Sequence, residues 1–438
     1  MPASNTDVAG HIHPEGHADT PEARQYSRIR RWISVADATL GIVFLVVLLA
    51  TGWTRDLRDV AFRFAHEHYV LALFYYVLLL TIISKIVSLP LDTYSFRIEH
   101  RFHLSNQHTP AWILDEIKGW AVGLVLATLL TELVYWIIRS AAIYWWLYAW
   151  IAFTALFVIF AQLAPVVLFP IFYKFVPLED QELRNRLVKL SERAGTRVRG
   201  VYEWKLSEKS KKANAALTGL GNTRRIILAD TLLQNYSHNE IEAVLAHELG
   251  HHVHRHIFKS IVLQMVVTFI AFCVANEVLR YATYEWHMFD LLSDFANLPL
   301  LALVSAALSL VLLPALNAYS RFNERQADRY CWQSVPSVDP FITAMDKLSL
   351  QNLSEKKPSR LIEILFHSHP AVSRRIAAAR EILQWQLPSK PFPLSPCIHP
   401  GGSSEIAPIL ISRTRRMPER CVMRFVKCIR SSELNTIL

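Results

Sequence analysis

The stretch LAHELGHHVHRH, residues 245–256, runs without a break into IFKSIVLQMVVTFIAFCVANEVL, residues 257–279. The first part holds five histidines within 12 residues. The second is apolar over the ~20 residues needed to cross a bilayer core as a helix. A metal-binding pattern therefore opens directly onto a membrane span, and that junction organises the reading of the rest of the chain.

Working outward, apolar residues make up 52% of the 438 residues and fall in blocks. Six blocks have span length: 35–53, 69–89, 118–138, 144–172, 257–279 and 297–316. The fourth is overlong and carries Pro165 and Pro170, so it is expected to cross once and then bend along the interface. Arg24, Arg28, Arg30 and Arg31 precede the first span, and Lys174–Arg255 is rich in Lys and Arg. The loop YATYEWHMFDLLSDFA, 281–296, has neither. The positive-inside rule then places both termini and both large polar segments, 173–256 and 317–384, on the cytoplasmic side. It also accounts for the net charge of +9 without a nucleic-acid partner, and none is expected. The first 34 residues are polar, contain His11, His13 and His17 and lack the pattern of a cleavable signal peptide. Cys273, Cys331, Cys397, Cys421 and Cys428 show no CxxC spacing, which argues against a disulfide framework or a cysteine metal site and fits a reducing compartment.

Within the first polar segment, DQELRNRLVKLSERAG (180–195) reads as a helix and VRGVYEWKL (198–206) as a strand. ANAALTGLGNTRRIILADTLL (213–233) reads as strands joined by a glycine loop. Ser237 and Glu240 have capping-box spacing, and Ile241, Val244, Leu245 and Leu249 recur at helical intervals. The spacing predicts one helix over 238–256. Beyond the sixth span, NAYSRFNERQADRYCWQ continues as helix, and PFITAMDKLSLQNLSE and AVSRRIAAAREILQWQ give two more. After about residue 385 the composition turns to proline, serine and scattered basic residues, read as a poorly ordered tail. It supplies no prenylation box, because Cys428 lies too far from the end.

His247, Glu248 and His251 form HExxH. Four residues apart on a helix, the two imidazoles can reach one zinc ion, and Glu248 can reach the coordination position a water would take. Zinc lowers the pKa of such a water to roughly 7, and a nearby carboxylate can take its proton. With 18 histidines in the chain, an accidental HExxH arises on the order of a few per cent of the time. The capped amphipathic helix at a membrane junction lowers that further. His252, His254 and His256 fall elsewhere around the helix or a turn too far and read as solvated or headgroup-facing. A catalytic zinc needs a third protein ligand. Residue 257 is Ile, so the short HExxHxxGxxH form is absent. Two spans separate His251 from SRFNERQAD (320–328), which returns the chain to the same side. Glu324 and Asp328, four apart, suit a ligand carboxylate and a carboxylate that orients an imidazole. An exposed helix face with like charges fits the spacing equally well.

HELGHH, a membrane hairpin and SRFNERQAD together resemble the type I CaaX prenyl proteases, integral-membrane zinc metalloproteases with HExxH and a downstream ExxxD. EHRFHLSNQHTPAWILDEIKG (99–119), ANAALTGLGNTRRIILADTLL and HSHPAVSRRI (367–376) extend the resemblance over about 35–384. It implies one zinc ion on His247, His251 and Glu324, Glu248 as base and Asp328 behind a ligand histidine. It further implies that Asn214 and Ala215 lie on an edge strand that pairs with an extended substrate. His369 and Arg375 would stabilise the oxyanion. Ala216 replaces an aromatic and Ala371 a proline common in the family, so substrate fit is less constrained than the metal site.

The expected fold class is mainly α: a polytopic membrane helix bundle of about six spans with a zincin-like α+β catalytic domain. Its parts are an N-terminal arm (1–34), membrane spans (35–172), a cytosolic zincin-like domain (173–256), a membrane hairpin (257–316), a helical catalytic segment (317–384) and the tail (385–438). The expected activity is zinc-dependent endopeptidase action on membrane-associated or hydrophobic peptides, including prenylated CaaX-type substrates. Quality control of membrane proteins is the alternative within that class. A non-catalytic metal-binding scaffold or transporter component is the alternative outside it. Glu248 counts against a scaffold, since structural zinc sites are closed by four protein ligands. Lys85, Glu132 and Glu277 are too few to mark a transport pathway. The bilayer and a peptide or protein substrate are the expected partners.

Overall fold

The computed structural model describes residues 19–219 and 224–386. The first 18 residues, the centre of the glycine loop and the tail beyond 386 lie outside the described residues.

Helix α1, Pro21–Thr51, is started by Thr20, whose side chain accepts from the Ala23 N–H, and stopped by Gly52 at φ 79°. It begins inside the basic stretch of the N-terminal arm, so Arg24 to Arg31 ride on the same helix as the first span. Next comes an amphipathic helix that the apolar-block reading passes over, α2, Trp53–Phe64. Its alternating Arg and Asp hide the apolar stripe that packs on α3, Tyr69–Arg101. Helices α4, Thr109–Ser140, and α5, Trp145–Leu163, follow. The α-helical ladder of the fourth span ends at Leu163 instead of running to 172. A π-helical turn, Ala164–Leu168, and a short helix α6, Phe169–Phe172, take over where Pro165 and Pro170 withhold N–H donors.

The mixed segment contains β1, Phe175–Pro177; α7, Gln181–Arg193; β2, Gly200–Trp204; β3, Ala215–Thr218; β4, Arg225–Ala229; and α8, Asp230–Asn235. Strand order is β1-β2-β4-β3, with β2 and β4 parallel and the outer pairs antiparallel. Strand β3 is thus an edge. Helix α9, His238–Val253, carries the predicted capping box between Ser237 and Glu240.

One expected helix over 238–256 is in fact two. Arg255 adopts φ 55°, ψ 36°, and a new helix α10, His256–Tyr284, starts beyond it. A left-handed residue bearing a Cβ costs about 1–2 kcal/mol, and apolar periodicity, which continues on both sides, gives no hint of it. Helix α11, Leu298–Ser334, is continuous through the sixth span and SRFNERQAD, with Pro314 inside it. Helices α12, Asp339–Gln351; α13, Arg360–Phe366; and α14, Val372–Gln386, complete the described chain.

Six helices, α1, α3, α4, α5, α10 and α11, are long and apolar enough to cross a membrane. Besides a small cluster of Tyr26, Ile98 and Leu104 that joins α1 to α3, two larger cores pack the described residues. One, at the sheet end, includes Leu187, Ile226, Leu228, Leu245, Leu249 and Phe341. The other, at the opposite end, is built on Tyr76, Tyr135, Trp145 and Phe295 and includes Phe289 and Leu292 of the loop that lacks Lys and Arg. Only 0–22% of each span's most apolar stretch is buried. A cavity of about 740 Å3 lies between α1, α3, α4 and α11. Lys85, on its wall, is matched by Asp92 at 2.7 Å and Glu116 at 2.5 Å.

Candidate metal centre and cleft

Helix α9 presents His247 and His251 one turn apart, with their Nε2 atoms 3.3 Å from each other. Helix α11 brings Glu324 against them: its carboxylate oxygens lie 3.2 Å from His247 Nε2 and 3.3 Å from His251 Nε2. These three side chains can place one ligand atom each around a single ion. Glu324 Oε2 is buried and accepts no hydrogen bond among the described residues. An orphaned buried carboxylate oxygen 3.2 Å from an imidazole nitrogen is what a bound cation would satisfy. The two nitrogen and one oxygen donors suit zinc and leave a coordination position open.

Gly250 sets how closely the two helices approach. A Cβ built on it would lie 2.8 Å from Ala327 Cα and 3.0 Å from Ala327 O, and Ala327 is one turn beyond Glu324. Gly250→Ala is therefore expected to push α11 outward. The anticipated cost is about 1–3 kcal/mol of stability, with weaker zinc binding read by chelator competition. Unchanged affinity and melting temperature would mean that the helix spacing does not govern the site.

Around the ligands, Asp328 Oδ1 lies 2.9 Å from His247 Nδ1 and accepts its N–H, which turns Nε2 toward the metal position. Arg375 holds Asp328 in turn, donating from Nε to Oδ2 at 2.9 Å and from Nη2 to Oδ1 at 2.6 Å. Two of its donors are thus engaged behind the site, although the side chain also lines the cleft. His369 is exposed, with Nε2 3.3 Å from Glu324 Oε1. His256 departs from its reading as a solvated side chain. It is buried, with Nδ1 3.0 Å from His251 Nδ1, because the turn at Arg255 swings it back toward the ligands. His252 and His254 remain partly exposed.

Electrostatics follow the packing. Burial works against a charged His247 ring, but the carboxylates of Asp328 and Glu324 prevail and raise its pKa to about 9 in the metal-free protein. Burial likewise opposes charge on Glu324, yet the two imidazoles hold it well below the usual carboxylate range. Burial raises Glu248, and for Asp328 burial is outweighed by Arg375, which keeps it low. The proton on His247 must leave before a metal can bind. Zinc affinity is accordingly expected to fall about tenfold for each pH unit below about 9, with proton release measurable by calorimetry in buffers of different ionisation enthalpy. A pH-independent affinity would contradict this charge arrangement.

Glu248 faces two cavities. One, of about 510 Å3, is lined by Asn214, Ala215, His247, His369 and Arg375. The other, of about 520 Å3, is lined by His251, Glu324 and Leu217 and continues to Phe157, Ile257 and Ile261 of the spans. Edge strand β3 passes from the first cavity at Ala215 to the second at Leu217. Its entrance is pinned by Asn352, which accepts from the Ala213 N–H at 2.9 Å and donates to the Ala213 carbonyl at 3.2 Å. Asn352, His256 and the Gly250–Ala327 contact escaped the sequence reading. None belongs to a local pattern; an HExxH helix that runs on into histidines and a span was the nearest signal.

Comparison with known proteins gives a consistent picture. Residues 177–383 match the family described as Peptidase family M48, and residues 5–174 match CAAX prenyl protease N-terminal, five membrane helices. The chain is 31% identical over 369 residues to the uncharacterized metalloprotease YhfN of Bacillus subtilis, covering 82% of this chain and 85% of that one. It is 29% identical over 325 residues to CAAX prenyl protease 1 of Saccharomyces cerevisiae, covering 68% and 70%. The crystal structure of S. mikatae Ste24p has the same fold, with a TM-score of 0.74 over 82% of this chain and 88% of that one at 24% identity.

Proposed function

Because the chain belongs to peptidase family M48 and is an integral multi-pass membrane zinc metalloprotease, we propose that it is an endopeptidase for membrane-associated or hydrophobic peptides. Prenylated CaaX-type chains are among the substrates this reading includes. The observation that carries it is the path of β3, which leads from a polar cleft past Glu248 to a cavity walled by span residues. A peptide extended along that edge would satisfy the strand's free backbone groups, with one end in water-facing surroundings and the other among apolar side chains.

In this reading His247, His251 and Glu324 hold one zinc ion, which when bound supplies Lewis acidity toward a carbonyl and an acidified water. Glu248 takes a proton from water and delivers it to the leaving amine. Its partly buried setting, which raises its pKa, suits it to both directions of transfer. Asn214 and Ala215 position the substrate backbone. His369, the more exposed of the two candidates, donates to the developing oxyanion, while Arg375 acts as a guanidinium lining the cleft and through Asp328. The catalytic domain lies on the cytoplasmic side, as the Lys and Arg of Lys174–Arg255 and their absence from 281–296 favour.

The test is zinc content and cleavage by purified protein in detergent, with a farnesylated CaaX peptide, its unprenylated counterpart and an unfolded hydrophobic polypeptide. One zinc per chain and preferential cleavage of the farnesylated peptide is the outcome for maturation. Equal cleavage of the polypeptide would assign the enzyme to turnover of damaged membrane proteins. Zinc without cleavage of any of the three would overturn the endopeptidase reading.

A further inference from the structure

His247 has its orienting partner in Asp328, but among the described residues the second histidine ligand is served by no carboxylate at its far nitrogen. His251 Nδ1 instead meets His256 Nδ1 at 3.0 Å, and His256 Nε2 meets Gln326 Oε1 at 2.9 Å. His256 is 3% exposed, so water does not offer its ring an easy substitute. On one unbroken helix, residues five apart point about 140° away from each other and could not make this contact. The contact exists because Arg255 takes the left-handed conformation between α9 and α10. Backbone strain of this kind persists where surrounding structure holds it, often beside functional sites.

We propose that His256 is a positioning residue for the metal centre: it accepts a hydrogen bond at Nδ1 from the His251 Nδ1–H, donates its own Nε2–H to Gln326 Oε1, and so fixes His251 in the form whose Nε2 faces the metal. The proton order follows from the metal side. A ligand at His251 Nε2 must be unprotonated there, so the His251 proton sits on Nδ1. His256 then has to accept at Nδ1 and carry its proton on Nε2, and Gln326 has to present its carbonyl oxygen. Gln326 is on α11, two residues beyond Glu324, so the relay spans the same two helices that supply the ligands. The inference rests on zinc occupying the site and is independent of what the enzyme cleaves.

Zinc affinity by chelator competition on the full-length protein in detergent tests it, with His256→Leu and His256→Asn. Leucine keeps apolar packing and removes the acceptor; the asparagine carbonyl oxygen stands near the position of Nδ1. Loss of about 10- to 100-fold in affinity is expected for His256→Leu, with most of it restored in His256→Asn. Wild-type affinity in His256→Leu would overturn the proposal. Equal loss in both variants would assign His256 to packing instead. Nitrogen-15 NMR of histidine-labelled, zinc-loaded wild type reads the same relay without any substitution: His256 should be protonated on Nε2, and protonation on Nδ1 would refute it.

Discussion

Glu248→Gln is expected to keep the fold and the zinc and to slow peptide hydrolysis by about 10²–10⁴-fold, the range lost with a general acid–base group. The amide matches the carboxylate in shape but cannot take a proton from water or return it to the leaving amine. Glu248 is not among the three clustered ligand side chains, so metal affinity has no reason to fall. Stability should hold or rise, because burial already disfavours the charge that the substitution removes. The pH profile sharpens the prediction. A base works only when deprotonated, so wild-type kcat/KM should fall toward acid with an apparent pKa above the ordinary carboxylate range, and that limb should be missing from the residual activity of the variant. A variant that loads zinc and cleaves like wild type would remove Glu248 from the mechanism. Matching zinc with no cleavage in either protein would favour a scaffold.

Asp328→Ala should damage the protein in two ways at once. Asp328 is 2% exposed and Arg375 9% exposed, and two hydrogen bonds join them. Removing the carboxylate strands a buried guanidinium, which typically costs about 3–5 kcal/mol. It also frees His247 Nδ1, and loss of such an orienting partner weakens metal binding about 10- to 100-fold. Thermal unfolding of the metal-free protein isolates the first effect; chelator competition at a temperature where the variant is folded isolates the second. Asp328→Asn, which keeps one acceptor oxygen, should lie between. A melting temperature unchanged in Asp328→Ala would mean that Arg375 finds water or another acceptor. Unchanged zinc affinity would mean that Glu324 and the helix alone orient His247.

The bilayer logic of the chain is written in its composition. Apolar blocks near the length of a membrane crossing, and an even number of them between two polar segments, bring HExxH and SRFNERQAD to one side whatever the packing details. The pairing of His247 with His251 was equally local, because an α-helix repeats every 3.6 residues and needs no tertiary help to align positions four apart. Glu324 and Asp328 were different. Spacing placed both on one face of α11 but could not separate a ligand from an exposed acidic pair; the approach of α11 to α9, permitted by Gly250, makes that distinction.

The histidines after His251 needed the tertiary structure for a further reason. Apolar periodicity is blind to a single residue at positive φ, so His256 was assigned to the wrong face of a helix that breaks at Arg255. Asn352 on Ala213 and the cavity between α1, α3, α4 and α11 belong to the same class. They arise from contacts between segments more than a hundred residues apart, or from contacts that are not made. Sequence alone determined that this chain lies in a membrane and holds HExxH beside it, because those properties are sums over neighbouring residues. Which carboxylate meets the imidazoles, which histidine supports them and where a peptide edge is left open were decided by distances between helices, which only the folded chain sets.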